Sequence, residues 1–273
     1  MRLIDTHSHI HDAAFDADRD AAIERARAAG VEYILTLGVD AADSRRAVEL
    51  AERYACVLAA AGVHPHDAAE AIESDLDALE ELARHPRVAA VGEIGLDFYR
   101  NLSPREAQLR VLRRQLETAT RVGKPVAVHC REAEPDMFGV LSEWSGRMGG
   151  CLRDGRPLGV MHYFSGDTEL ASRYIGLGFF ISVHTSVTHP RAEQLREVAR
   201  TAPLDRLVVE TDSPYGAPQS VRGKRNEPAH VAEAAARIAE LRSMDVAEVA
   251  RITTDNALRL LGAGVTTGGR SSR

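Results

Sequence analysis

The chain has 273 residues, 44% of them hydrophobic and 27% charged, with a formal net charge of −6. That is the composition of a soluble globular protein, long enough for one α/β barrel, and no apolar run approaches the roughly 20 residues of a membrane span. The negative balance excludes a broad nucleic-acid-coating surface, which needs clustered Lys and Arg, but leaves room for a local basic groove.

The start, MRLIDTHSH, has no charged-then-apolar leader, so the reading is cytoplasmic. Leu3-Ile4 opens a first strand, followed by DTHSH (5–9). In extended backbone alternate side chains point the same way, so His7 and His9 project from one face and can converge on one cation. An isolated HxH is more often a loop, and its meaning rests on the rest of the chain.

Helix and strand candidates then alternate. RDAAIERARAAG precedes the strand YILTLG (33–38), DSRRAVELAERY precedes VLAAAGV (57–63), and DLDALEELARH precedes VAAVGEIG (88–95). SPREAQLRVLRRQLETATRVG precedes PVAVHC (125–130), and several of these helices start at Ser or Asp and stop at Gly. The stretch 145–157, rich in Gly and Arg, reads as a mobile loop before LGVMHYF (158–164). FFISVH (179–184), the helix HPRAEQLREVARTA and RLVVETD (206–212) bring the strands to eight. Most are continuous apolar runs, as in parallel strands buried on both faces, and eightfold alternation predicts a (β/α)8 TIM barrel. A doubly wound sheet is the alternative, but no GxGxxG follows the first strand. AHVAEAAARIAELRS and DVAEVARITTDNALRLLG follow, the second an extra helix packed on the barrel. Residues 1–262 read as one domain and 263–273, poor in apolar residues, as a disordered tail.

The informative polar residues fall at the carboxyl ends of these strands: His7 and His9, His64, Glu93, His129, His162 and Asp212. In such a barrel those ends meet at one mouth, where active sites are built. A carboxylate such as Glu93 among apolar residues is costly unless paired or metal-bound. Asp212 in ETDSP has a turn-capping role as its alternative, and His64 in GVHPH a substrate contact. Six imidazole and carboxylate ligands exceed the need of one catalytic ion. Two divalent ions sharing Glu93, with His7, His9 and Asp212 on one and His129 and His162 on the other, would use them all and, at ~3.5–4 Å apart, suit hydrolysis. The set suits Zn, or Mg or Mn where substrate phosphate adds ligands. Cys56, Cys130 and Cys151 lack CxxC spacing, which argues against a thiolate cluster or disulfide framework.

At these residues the sequence resembles the TatD family of metal-dependent hydrolases, within the amidohydrolase-like superfamily. The resemblance runs from DTHSHIHD through GVHPH, VGEIGLDFYRN, PVAVHCREA, HYFSG and ETDSPYGAP to RGKRNEPAHV. It implies a (β/α)8 fold, the same six metal ligands, and hydrolysis of DNA phosphodiesters by 3′-to-5′ exonuclease action, with D-aminoacyl-tRNA deacylation in some relatives. Lys124 precedes strand five rather than ending it, so no carboxylated lysine is expected to bridge. The chain departs from the pattern at Tyr163 (usually Cys), at Gly216 (usually Leu) and in SVHTSVTHP, which adds His184 and His189.

The mechanism expected is attack of metal-activated water on phosphorus, with Asp212 and Glu93 catalytic and His64 contacting the phosphate or assisting the leaving group. Arg100, Arg131, Arg222, Lys224 and Arg225 are placed to hold the diester, Tyr99 to stack on a terminal base, and Asn226 to bind the nucleotide or cap a helix. The expected partner is DNA with a single-stranded 3′ end, the expected state a monomer. An ester or amide hydrolase acting on aminoacyl-tRNA is the alternative enzyme, and a non-catalytic scaffold would not need an open two-ion site.

Overall fold

A computed structural model describes residues 1–262 of the chain; the expected tail at 263–273 lies outside the described residues. Eight strands form one sheet in chain order: β1 (Leu3–Ser8), β2 (Val31–Leu37), β3 (Val57–Ala61), β4 (Val88–Asp97), β5 (Val126–Arg131), β6 (Gly159–Met161), β7 (Phe179–His184) and β8 (Leu207–Glu210). The pairings β1–β2, β3–β4, β4–β5, β5–β6 and β7–β8 are parallel. The chain leaving β8 returns to β1 by a parallel bridge between Ser8 and Ser213, where Asp212 N–H donates to the His7 carbonyl and His9 N–H to that of Ser213. With a helix after each strand this is the expected (β/α)8 fold. The helices are α1 (Arg19–Ala28), α2 (Ala41–Arg53), α3 (Glu73–Arg84), α4 (Arg105–Val122), α5 (Glu134–Met148), α6 (Thr168–Gly176), α7 (Glu193–Thr201), α8 (Val231–Arg242) and α9 (Val246–Leu261). Among the described residues no helix is long and apolar enough to cross a membrane.

The chain forms two compact units. The first takes Met1–Thr36, His162–Ile175 and Phe180–Ala257. Its strands bury most of their apolar side chains, with Leu3, Ile4, Phe180, Ile181 and Val208 at 1% exposure or less. The extra helix α9 is tied to the starts of β1 and β8: Thr254 Oγ1 donates to the Arg2 carbonyl, and Asn256 Nδ2 to the carbonyls of Leu204 and Leu207. An amide that satisfies two strand-entry carbonyls replaces water where the backbone would otherwise be buried unpaired.

The second unit is built on Leu37–Met161 and Gly176–Phe179, with the chain from Leu258. Its helices obey the stop and start signals read from sequence: the Asp40 carboxylate accepts from Asp43 N–H at the head of α2, and α4 ends at Gly123 with φ 67°. The expected loop from Ser145 begins instead at Gly149, because α5 runs through Met148 before a left-handed glycine stops it. Ser145 is buried there and donates to the Leu177 carbonyl, while Trp144 Nε1 donates to Thr120 Oγ1. Gly95, at φ 154° and in register with His129, brings β4 and β5 so close that an added Cβ would lie 1.9 Å from the His129 carbonyl oxygen.

Two strands stop sooner than their apolar runs suggest. β6 ends at Met161 and β8 at Glu210, because Tyr163 (φ 44°) and Asp212 (φ 61°) take left-handed backbone that ends an extended run. His162 and Asp212 therefore stand on the turns just past their strands.

Candidate metal centre

In the first unit, β1 delivers His7, the residue just past its end is His9, and the turn after β8 delivers Asp212. Asp212 Oδ1 lies 3.9 Å from His7 Nε2, 3.7 Å from His9 Nε2 and 3.8 Å from His162 Nε2. These gaps are too long for hydrogen bonds, but donors bound at about 2.0–2.2 Å to one tetrahedral ion stand roughly 3–4 Å apart. The donor chemistry and spacing thus fit a divalent cation. The rings of His7 and His162 stack at 3.3 Å.

Two acids that the sequence reading passed over hold this group in shape. Glu210, fully buried at the end of β8, sets Oε1 2.9 Å from His162 Nδ1 and accepts the Tyr163 N–H at 2.7 Å, leaving Nε2 to face Asp212. Carboxylates behind ligating imidazoles fix the tautomer and the ring direction. Asp5, also fully buried, accepts from Thr211 N–H at 2.9 Å and Thr211 Oγ1 at 2.6 Å, locking β1 to the residue before Asp212. Burial pushes the Asp5 carboxyl well above the usual carboxylate range, with the Thr211 bonds pulling the other way.

In the second unit β4 and β5 supply Glu93 and His129, and the loop after β3 supplies His64, three residues past Ala61. Glu93 Oε1 is 3.0 Å from His129 Nδ1 and 3.5 Å from His64 Nε2. The other His129 nitrogen, Nε2, is 3.1 Å from Asp97 Oδ2, which also meets His66 Nε2 at 3.0 Å. Asp97 is a further acid that the sequence does not single out for this role; its signal is a carboxylate ending the same strand as Glu93. Burial lowers the His64 pKa against the pull of Glu93, so that imidazole is ready to act as a neutral donor. Burial alone would do the same to His129, but the bonds to Asp97 and Glu93 outweigh it and raise its pKa to about 9. A cation must therefore displace one proton from His129. The apparent affinity of this group for a divalent ion should rise about tenfold per pH unit from pH 7 and flatten near pH 9. Calorimetric titration in buffers of different ionisation enthalpy reads that proton; an affinity flat across this interval would contradict it.

The residues expected to hold substrate fall into two sets. Tyr99, Arg100, Arg131, Arg222 and Lys224 are all exposed, and the Arg131 guanidinium lies 3.8 Å over the Tyr99 ring. Arg225 and Asn226 are engaged inside the first unit. The Arg225 fork is closed on Asp18 at 2.7 and 2.8 Å and reaches Glu227, and its carbon sits 4.4 Å over the Phe15 ring. Asn226 is fully buried: its Nδ2 donates to the carbonyls of Thr211 and Tyr215, and its Oδ1 accepts the Glu227 N–H. Asp18 and Glu227 satisfy the one, loop carbonyls the other. Of the departures from the family pattern, Tyr163 stacks on His184 at 3.6 Å, and burial drives the His184 pKa down to about 3, so that imidazole is neutral. His189 Nε2 lies 2.8 Å from the Ala217 carbonyl oxygen. Lys124 Nζ donates to the His85 carbonyl, consistent with its place before β5.

Residues 4–262 match the family described as TatD related DNase. The chain is 40% identical to the uncharacterized metal-dependent hydrolase YabD of Bacillus subtilis, over 94% of this chain and 98% of that protein. It is 37% identical to the 3′-5′ ssDNA/RNA exonuclease TatD of Citrobacter koseri, over 95% and 99% of the two chains. The crystal structure of YjjV, a TatD homolog from Escherichia coli K12, superposes with a TM-score of 0.87 at 34% identity and covers 95% of this chain and 98% of its own. Fold, donor groups and similarity over almost the full length agree: the chain belongs to the TatD related DNase family and is a metal-dependent hydrolase.

Proposed function

We propose that this chain is an exonuclease that removes nucleotides from the 3′ ends of single-stranded nucleic acid with two divalent cations, one at each donor group. The observation that carries the reading is the pair of three-donor groups, His7 with His9 and Asp212, and His64 with Glu93 and His129, each with its ligand atoms within 4.8 Å of one another. The similarity to the 3′-5′ ssDNA/RNA exonuclease TatD of Citrobacter koseri supports the substrate class. Imidazole and carboxylate donors in these numbers suit Zn, and Mg or Mn when phosphate oxygens complete the shell.

Divalent ions supply Lewis acidity toward a phosphoryl oxygen and lower the pKa of water. The protein's own residues do the rest. The Asp212 carboxylate, at a turn and partly exposed, orients the attacking water and takes its proton. Glu210 and Asp97 hold His162 and His129 against rotation, so the ligand geometry is set before substrate arrives. Arg100, Arg131, Arg222 and Lys224 offer exposed positive charge to the phosphate backbone, and the planar forks of the arginines match phosphate oxygens pairwise. An acidic protein can hold DNA this way at a few sites without coating it. The reaction belongs in the cytoplasm and needs one copy of the chain.

The test is to strip the protein of metal, restore Mg, Mn or Zn singly, and follow 3′-labelled single-stranded DNA and RNA. Release of 3′-terminal mononucleotides only in the presence of metal is the expected result. Failure to trim either polymer with any ion, beside release of the amino acid from D-aminoacyl-tRNA, would replace this reading with an acyl hydrolase.

A further inference from the structure

Tyr215 stands three residues after Asp212 and is 60% exposed, a large aromatic side chain held beside a metal donor group. Its ring centroid is 6.2 Å from that of His9, with the planes at 68°. The turn carrying it is pinned at several points. Tyr215 N–H donates to the Asp212 carbonyl at 2.8 Å, and the Tyr215 carbonyl accepts from Asn226 Nδ2 at 2.7 Å. The same buried amide reaches the Thr211 carbonyl at 2.9 Å, on the other side of Asp212. One residue further, the Gly216 carbonyl accepts from Thr185 Oγ1 at 2.5 Å. Asn226 thus fixes Tyr215 relative to Asp212, which gives this buried amide a task near the chemistry without contact to substrate.

From this geometry we propose that Tyr215 is the platform on which the terminal base of the nucleic acid stacks, a substrate-positioning residue; the proposal rests on the nuclease reading above. The diester that joins a terminal nucleotide is separated from its base by one sugar. A base lying on Tyr215 therefore leaves the diester facing the donor group to which His9 belongs. Stacking accepts any base, because every base has a π-face, so the platform serves an enzyme that must remove whatever nucleotide comes next. Because the turn is already ordered, little flexibility is lost when the base arrives.

Stacking that is equal in the bound and reacting states alters KM and leaves kcat alone. The experiment compares the metal-loaded full chain with its Tyr215→Ala and Tyr215→Phe variants on two single-stranded oligonucleotides, one ending in an ordinary 3′ nucleotide and one in an abasic 3′ unit. Tyr215→Ala should raise KM on the ordinary end by about ten- to hundredfold, with kcat within about threefold. The same variant should match the parent on the abasic end, and Tyr215→Phe should match it on both. An equal loss on both ends would make the role structural and overturn the proposal, as would no loss on either. A parent that trims neither oligonucleotide removes the nuclease reading and this proposal together, whereas a parent that trims beside an indifferent Tyr215→Ala removes this proposal alone.

Discussion

Asp212→Asn should lower turnover by about 10³-fold or more while the protein stays folded. One carboxylate oxygen of Asp212 faces three imidazoles at 3.7 to 3.9 Å, so in the proposed mechanism the charge removed is the one that would balance a bound cation and receive a proton from water. Asn keeps the shape and the left-handed turn, which Asn and Asp tolerate better than other residues, so the backbone bonds from Asp212 N–H to His7 and from Tyr215 N–H to Asp212 survive. The rate should be measured at saturating metal beside a thermal melt. Turnover within tenfold of the parent, with an unchanged melt, would remove Asp212 from the chemistry.

Glu93→Gln is expected to cost as much, by a different route. Glu93 is 3% exposed and faces His129 and His64 with one oxygen, so a neutral amide there leaves the second donor group with two imidazoles and no charge to offset a dication. The loss shows first in metal content, by elemental analysis of the dialysed protein, and then in rate. It also shows in stability. An ion at a thousand times its Kd stabilises the folded state by about 4 kcal/mol, roughly 8–16 °C in a domain near this size. The parent should gain melting temperature on addition of metal and Glu93→Gln should lose the share owed to its group. An unchanged shift and full metal content would show that Glu93 holds no ion.

The alternation of HxH and the run of polar residues at strand ends made the candidate donors readable, because period-two geometry leaves little choice about which side chains share a face. Strand existence was equally readable from the apolar runs, while the stops of β6 and β8 were not, since nothing in HYF or ETD announces left-handed backbone at Tyr163 and Asp212. Glu210 and Asp97 escaped attention because each sits beside a more conspicuous residue, Asp212 or Glu93, and a carboxylate supporting a histidine looks in sequence like any acid. Arg225 was read with the exposed charges of VRGKRN; its partner Asp18 lies 207 residues away, a distance over which spacing is silent. Asn226 read as a nucleotide contact or helix cap for the same reason, since its carbonyl partners are set by the fold.

The Tyr163 ring and the space over Gly216 have a bearing on how such a sequence can change. A Cβ at position 216 would stand 3.2 Å from Tyr163 Cε2 and 3.3 Å from the Thr211 carbonyl oxygen, on a glycine at φ 61°. A side chain at 216 would therefore meet the Tyr163 ring, so positions 163 and 216 share one packing site. Their mutational costs should not add, because each side chain sets the room left for the other. Leu at 216 would press on the Tyr163 ring and on the Thr211 carbonyl and would also need backbone at φ 61°, so a smaller residue at 163 relieves only part of its cost.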